Sequence, residues 1–126
     1  MTNSAPGYAK KPEHRVDLLP ESKHIRVTFG GTVIADTKAA IRCEETGHGP
    51  VYYLPEKDVR MELLHATDHK TYCPFKGDCS YWTIDVGGNK QAENAVWGYR
   101  APYDEALGLT GHYAFYPNRV DAIEVS

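Results

Sequence analysis

Apolar and polar residues alternate along much of this chain. Between His24 and Phe29, the apolar residues Ile25, Val27 and Phe29 are separated by a charged and a polar residue. A period of two places successive side chains on opposite faces of a strand, so this segment is predicted to be a half-buried strand. No segment shows a long apolar stripe with the 3.6-residue period of a helix. We therefore expect strands to dominate and helices to be the minority.

The same alternation, and the turn residues between the segments, predict about eight to ten short strands. The pairs Gly30-Gly31 and Gly87-Gly88 mark hairpin turns, because glycine reaches the positive φ angles that tight turns need. The predicted strands are His14–Leu19, His24–Phe29, Thr32–Asp36, Ala39–Cys43, Val51–Leu54, Val59–His65, Ser80–Val86, Gln91–Tyr99, and a last hairpin of His112–Tyr116 with Val120–Val125.

Two short segments are predicted to be helical, and a third is ambiguous. Pro55–Asp58 fits one helical turn because proline is tolerated at a first helical position, and Asp104–Gly108 suggests a second short helix. Val59–His65 fits either a helix or a strand. The alternation of Val59, Met61 and Leu63 favours the strand.

This order of elements predicts a single, small, mainly β domain. Many short strands with few helices are typical of a curled antiparallel sheet or an open barrel, here with one or two short helices. The chain has 126 residues, which is about one domain. Residues 1–12 are polar and contain proline and glycine, so we expect a flexible or docked arm before a β domain at residues 13–126.

Composition narrows the classes of function. The net charge is −3 with both signs interspersed, so no basic stripe favours nucleic acid as a partner. No apolar run approaches the roughly 18 residues of a membrane helix, and the first residues lack an apolar signal core, so we expect no membrane partner and a cytoplasmic protein. The three cysteines are an odd number, which argues against a disulfide framework. Paired Cys-x-x-Cys or His-x-His elements are absent, so we expect neither a metal nor another cofactor.

The segment Thr71-Tyr72-Cys73-Pro74-Phe75-Lys76-Gly77-Asp78 carries the densest group of unusual residues. A thiol reacts as a thiolate, and an ammonium group near it lowers its pKa, so Cys73 and Lys76 are candidate catalytic residues. Gly77 allows a sharp turn in which backbone N–H groups, with Thr71 and Lys76, could hold a carboxylate or phosphate. The alternative is structural: Cys73 is a buried small hydrophobe, and Pro74 and Gly77 only shape a turn.

Histidine would be the usual base for a cysteine nucleophile, and His65, His69 and His112 are the candidates. Arg60 shares a strand face with Asp58, where it could bind a carboxylate or phosphate with two N–H groups. The alternative for Asp58 and Arg60 is a surface ion pair that contributes at most about 1 kcal/mol.

Aromatic residues cluster in the predicted strands, and adjacent pairs place one ring on each face of a sheet. Packing in the core explains at least half of them. The others could form the walls of a pocket that stacks on a planar ligand. The candidates for ligand contact are Tyr53, Arg60, Thr71, Cys73, Lys76, Tyr81, Trp97 and Tyr113.

Several short segments together resemble a known protein family. They are Val27-Thr28-Phe29-Gly30-Gly31, Val51-Tyr52-Tyr53-Leu54-Pro55, Asp58-Val59-Arg60, Cys73-Pro74-Phe75-Lys76-Gly77, Tyr81-Trp82, Trp97-Gly98-Tyr99 and Gly111-His112-Tyr113-Ala114-Phe115-Tyr116. The combination resembles family four-two-seven of the domains of unknown function, over about residues 14–125. The resemblance implies a small β domain of the β-tent type. It also brings a nucleotidyltransferase label.

Four functions follow, in descending order. The first is binding of a small polar or anionic molecule between the Cys73–Gly77 turn and the aromatic strands. The second is an enzyme with Cys73 as nucleophile. The third is a protein-interaction domain with an exposed sheet edge, for example in a homodimer. Nucleotidyl transfer is a remote fourth, because the sequence lacks the paired aspartates and glycine-rich loop that hold magnesium and a triphosphate.

Overall fold

The computed structural model describes residues 3–126, and it is mainly β with antiparallel strands. Ten strands follow one another within these described residues. They are β1 (Val16–Glu21), β2 (Ile25–Phe29), β3 (Thr32–Thr37), β4 (Ala40–Glu45), β5 (Val51–Pro55), β6 (Leu64–Cys73), β7 (Gly77–Asp85), β8 (Gln91–Gly98), β9 (His112–Phe115) and β10 (Ala122–Val125). The predicted fold class, a single small β domain, is confirmed.

Helical structure is confined to short pieces. One α-helix, α1, spans Gly7–Lys10 near the start of the chain. The 3₁₀ turns are Glu56–Asp58, Met61–Leu63, Asp104–Leu109 and Pro117–Arg119. The helical turns predicted after Pro55 and at Asp104 are therefore present, and the second is kinked at Ala106. No helix among residues 3–126 is long and apolar enough to cross a membrane.

The strands form two sheets. The larger sheet has seven strands in the order β1-β4-β5-β9-β8-β7-β6, and the smaller has three in the order β10-β2-β3. The two predicted glycine turns are confirmed: Gly30 and Gly31, with φ of 58° and 77°, join β2 to β3. Gly87 and Gly88 connect β7 to β8.

Each face of the seven-stranded sheet is covered by its own apolar core. One core lies between the two sheets and contains Ile25 and Val27 of the small sheet with Trp82 of the large one. The second core lies on the opposite face and includes Tyr53 and Tyr81. Because neighbouring residues on a strand point to opposite faces, Tyr81-Trp82 contributes one ring to each core, as predicted.

The prediction of a strand over Val59–His65 is wrong for most of the segment. Val59 forms a single isolated bridge with Ala35, and Met61–Leu63 is a 3₁₀ turn. The backbone N–H of Arg60 donates to the carbonyl of Ile34 at 2.8 Å, which holds the chain in this non-strand path. Strand β6 begins only at Leu64 and continues to Cys73, through residues that are mostly exposed and polar.

The predicted last hairpin is also wrong. Strand β9 belongs to the seven-stranded sheet, whereas β10 pairs with β2 in the small sheet, with Val125 opposite Ile25. The chain passes from one sheet to the other through the 3₁₀ turn Pro117–Arg119. The apolar side chains of Val120 and Ile123 pack against the core between the sheets, which favours the crossing over a local hairpin.

We predict that Leu54→Ala will lower the free energy of unfolding by about 2–5 kcal/mol, the usual cost of emptying a buried leucine site. Leu54 is only 1% exposed and packs in the core between the sheets. The matched control is Leu107→Ala, because Leu107 is 56% exposed and should lose under about 0.5 kcal/mol. Urea denaturation of both variants measures the difference, and equal losses would contradict the assignment of Leu54 to the core.

Candidate functional site

A cavity of about 360 Å³ opens beside the second core, on the face of the large sheet that carries Tyr53 and Tyr81. Its wall is largely aromatic, and its polar residues are Glu45, His48 and Lys76. The complete lining consists of Cys43, Glu45, His48, Gly49, Val51, Tyr53, Lys76, Cys79, Tyr81, Trp97, Tyr99 and Tyr116. A concave, mostly apolar space with a few polar groups is the usual form of a small-molecule site. We refer to it as the aromatic pocket.

Lys76 supplies the positive charge of the aromatic pocket. It lies in the turn between β6 and β7, where Cys73 pairs with Gly77 and the chain reverses over Pro74, Phe75 and Lys76. Gly77 has a φ of 119°, a conformation that favours glycine, so the tight reversal depends on this residue. Lys76 is only 7% exposed, which is rare for a lysine.

Glu45 neutralises Lys76. Its Oε1 atom accepts a hydrogen bond from the Lys76 ammonium at 2.5 Å, and its side chain is 14% exposed. Its Oε2 atom accepts a second hydrogen bond, at 2.8 Å, from Nε2 of His14. A carboxylate has no proton to donate, so Nε2 of His14 must carry the hydrogen.

The ion pair shifts the pKa of both partners toward the charged forms. Burial alone lowers the pKa of Lys76, but the hydrogen bond with Glu45 and the negative charge of that carboxylate raise it above its ordinary value. Burial alone raises the pKa of Glu45, but the hydrogen bonds from Lys76 and His14 more than reverse this, so its pKa is lowered. The site therefore keeps one full charge of each sign across neutral pH.

Tyrosine and tryptophan rings form the walls of the aromatic pocket. Nε1 of Trp97 donates to the hydroxyl of Tyr53 at 3.2 Å, and the two rings meet edge to face. The hydroxyl of Tyr81 is hydrogen-bonded to Oγ1 of Thr71 at 2.9 Å. Burial raises the pKa of Tyr53, Tyr81 and Tyr99, so all three keep their protons at neutral pH. The two hydrogen bonds hold the rings of Tyr53, Trp97 and Tyr81 in the wall of the cavity.

The three cysteines are free thiols, and all of them lie around the second core. Cys43 and Cys79 are buried and line the aromatic pocket, and burial raises the pKa of each. Both are therefore protonated at neutral pH. Cys73 is half-buried at the end of β6 and packs against the same core without lining the pocket.

The family model described as a domain of unknown function (DUF427) matches residues 17–126, which is most of the chain. The chain belongs to the DUF427 family. The resemblance drawn from the sequence motifs is thereby confirmed. No curated protein matches the chain. The aromatic pocket of this DUF427 domain lies within the matched residues, whereas the arm and His14 precede them.

Half of the ligand-contact residues predicted from the sequence meet in the aromatic pocket of the DUF427 domain. Tyr53, Lys76, Tyr81 and Trp97 all line it. Thr71 stands behind the wall, where it is hydrogen-bonded to the hydroxyl of Tyr81.

Arg60 and Tyr113 lie elsewhere, so a ligand in the aromatic pocket would not contact them. Arg60 is 53% exposed and pairs with Glu62 at 3.0 Å, not with Asp58 as the sequence suggested. Asp58 instead accepts a hydrogen bond from the hydroxyl of Thr37 at 2.7 Å. Tyr113 belongs to the core between the sheets, where its hydroxyl donates to Glu56 at 2.7 Å, and burial raises its pKa to about 12.

Sequence reasoning missed Glu45, and it missed the role of His14. A signal for Glu45 was available: Ile41, Cys43 and Glu45 share one strand face if the strand after Ala39 is extended by two residues. Strand β4 does extend to Glu45. No local signal points to His14, because its contact with Glu45 joins residues 31 positions apart.

The histidines proposed as a base for Cys73 are distributed over the molecule. His69 packs its ring on Tyr81 at a centroid distance of 4.4 Å, whereas His112 is hydrogen-bonded to the carbonyl of Thr110. His65 is exposed and pairs with Thr83 across β6 and β7. Within residues 3–126, no hydrogen bond joins Cys73 to a histidine, and no group of three or more His, Cys, Asp or Glu side chains could hold a metal ion.

We predict that Glu45→Gln will lower the free energy of unfolding at pH 7 by about 1–3 kcal/mol, because it leaves the Lys76 ammonium without its counter-charge. The wild-type carboxyl has a pKa below its ordinary 4.5, so its stabilising effect is complete above that pH and is lost as pH falls through the lowered pKa. The difference in the free energy of unfolding between wild type and Glu45→Gln should therefore become smaller as pH falls. Urea denaturation between pH 3 and 7 measures it.

The control for this experiment is Glu44→Gln. Glu44 is the neighbouring carboxylate on the other strand face and is 52% exposed. It should change stability by less than about 0.5 kcal/mol. A gap between Glu45→Gln and wild type that stays constant from pH 7 to pH 3 would contradict the ion pair.

Proposed function

We propose that this DUF427 domain binds a small molecule that combines a planar ring with a neutral polar head group. The observation that carries the proposal is the buried pair Lys76–Glu45 at the wall of a cavity that five tyrosine and tryptophan side chains also line. Aromatic walls would contact the ring, and the ion pair would bind the head group. Residues 3–126 offer no carboxylate cluster that adds support to the remote alternative, nucleotidyl transfer.

The ring part of the ligand follows from the walls. Tyr53, Tyr81, Trp97, Tyr99 and Tyr116 supply several ring faces around one space. Aromatic side chains gain about 0.5–1.5 kcal/mol from stacked or edge-to-face ring contacts beyond the burial of area. The volume of about 360 Å³ is near the lower limit for ligand pockets, so the ligand is small.

The neutral head group follows from the charges. An anion would be attracted by Lys76 but repelled by Glu45, and a cation would meet the reverse. Lys76 has three N–H donors and gives one to Glu45, so it can donate to a carbonyl oxygen on the ligand. The carboxylate of Glu45 can accept a further hydrogen bond from an N–H group. A head group with one acceptor and one donor, such as a carboxamide, uses both members of the pair.

Three molecules of one shape test this proposal: benzamide, benzoate and benzamidine carry a neutral, a negative and a positive head group. We expect benzamide to bind about fivefold more tightly than either charged analogue, which corresponds to about 1 kcal/mol. Titration calorimetry at constant ionic strength and pH 7 measures the three affinities. Absence of binding by all three, or preference for a charged one in the wild type, would contradict the proposal.

Charge variants make the same test sharper. Glu45→Gln leaves Lys76 unpaired and should move the preference to benzoate, whereas Lys76→Met leaves Glu45 unpaired and should move it to benzamidine. The double variant removes both charges and should prefer benzamide again. Lys57→Met, at an exposed lysine outside the aromatic pocket, is the matched control and should leave the order unchanged.

An enzyme with Cys73 as nucleophile is the second candidate. The observation that favours it is that Cys73 stands at the start of the turn that carries Lys76. Support is weaker than for ligand binding, because Cys73 does not line the aromatic pocket.

Alkylation with iodoacetamide at a series of pH values tests the nucleophile. If Cys73 is one, its labelling should follow an apparent pKa well below the free value of about 8.5. Peptide mass spectrometry separates it from Cys43 and Cys79, whose raised pKa values predict slow labelling and so provide internal controls. An apparent pKa for Cys73 at or above the free value would contradict the hypothesis that Cys73 is a catalytic nucleophile.

A further inference from the structure

Residues 3–12, which we call the arm, pack against the part of the domain that carries Lys76. The arm is fixed at its start by Asp104 and Glu105. The carboxylate of Asp104 accepts from the backbone N–H of Asn3 at 2.7 Å, and the N–H of Asp104 donates back to the carbonyl of Asn3 at 2.9 Å. A carboxylate oxygen of Glu105 accepts from the N–H of Ala5 at 2.8 Å.

The arm also contacts the turn between β6 and β7, at Gly7. Its N–H donates to the carbonyl of Pro74 at 3.0 Å. A Cβ atom at this position would lie 2.7 Å from the ring of Phe75 and 2.9 Å from the carbonyl oxygen of Pro74. Any residue other than glycine would therefore force the arm and the turn apart.

Phe75 links the arm to the ion pair. Its ring is held between Tyr8, which meets it edge to face at 5.0 Å, and His14, which stacks on it at 3.9 Å. His14 in turn donates to Glu45, and Lys76 follows Phe75 in the chain. One continuous set of contacts thus runs from α1 through Phe75 and His14 to both charges of the aromatic pocket.

We propose that the arm and His14 position the Lys76–Glu45 pair, so that Gly7, Tyr8 and His14 are positioning residues of the aromatic pocket. The inference rests on the proposed function for its ligand. Its structural content, the control of Glu45 and Lys76 by residues that precede the family-matched part of the chain, can be measured without any ligand.

The physical reason lies in the side chains that the arm restrains. A lysine loses considerable rotamer freedom when it is buried, so its position needs support from the turn on which it stands. With the arm displaced, the Phe75 ring loses Tyr8, its aromatic neighbour in the arm. Glu45 also loses its contact with His14 if that residue leaves with the arm. Lys76 and Glu45 would then adopt several arrangements, of which only one is competent to bind the ligand. The apparent affinity falls in proportion to the population of that arrangement.

Two variants displace the arm through changes at different contacts. Gly7→Ala introduces the clash with Phe75 and Pro74. The double variant Asp104→Ala/Glu105→Ala removes the two side-chain hydrogen bonds at the start of the arm and keeps the backbone one. Neither changes a residue that lines the aromatic pocket. Ala9→Val is the matched control, since Ala9 is on the same helix and is exposed, and valine adds bulk at that position.

The first readout is the titration of the Glu45 carboxyl, followed by carbon-13 NMR. Displacement of the arm should raise the pKa of Glu45 toward its ordinary value of 4.5, because Lys76 is held less firmly and because the His14 contact is also lost if that residue moves with the arm. The second readout is binding of benzamide, which should weaken about tenfold if the competent arrangement falls to about a tenth. Exchange of the Gly7 amide hydrogen reports whether the arm has left.

Four outcomes decide the matter. Faster Gly7 exchange with a raised Glu45 pKa and weaker benzamide binding, in both variants and not in Ala9→Val, supports the inference. Faster exchange with an unchanged Glu45 pKa and unchanged binding overturns it. Continued protection of Gly7 in both variants also overturns it, because neither the close approach at Gly7 nor the two side-chain hydrogen bonds would then be what holds the arm against the turn. If the wild type binds no probe but the pKa of Glu45 still rises in the two arm variants, the proposed function is contradicted and the positioning role of the arm is supported.

Discussion

A buried ammonium group must have a counter-charge nearby, and this requirement organises one side of the domain. Lys76 is almost completely covered, so its charge is tolerable only because Glu45 lies against it. That contact joins the turn after β6 to the end of β4, and it brings the aromatic rings of the central strands next to a polar wall. The shape and the chemistry of the cavity therefore have a common origin in one ion pair.

The sequence predicted those strands that bury one face. Ile25 and Val27 in β2 alternate with polar residues, and this period of two identifies a strand. Strand β6 carries mostly polar side chains and gives no periodic signal. The assignment of β9 and β10 to different sheets depends on pairing between residues far apart in the sequence. The site shows the same limit: Tyr53, Lys76, Tyr81 and Trp97 stood out by type, but the partner of Lys76 lies 31 positions away. Local patterns do not contain that pairing.

The seven-stranded sheet divides its two faces between stability and chemistry. The face toward the small sheet is packed with aliphatic and aromatic side chains around Ile84 and Val96, neither of which is exposed. The opposite face has tyrosines, thiols and the ion pair, and an open cavity. Since adjacent residues on a strand serve different faces, the pairs Tyr52-Tyr53 and Tyr81-Trp82 contribute to both at once. A change in one member of such a pair acts on one core and leaves its neighbour's contacts in place.

The pairing of β10 with β2 has a consequence for biosynthesis. Ile25 and Val125 lie opposite each other although 100 positions separate them, so β2 remains without its second neighbour until nearly all of these residues have been translated. Contacts this distant in sequence close slowly, because the entropy of a long loop must be lost before the contact forms. Until β10 is present, the edge of β2 that does not pair with β3 and the apolar face of β2 are accessible to other nascent chains. Chaperone protection during translation would matter most for β2.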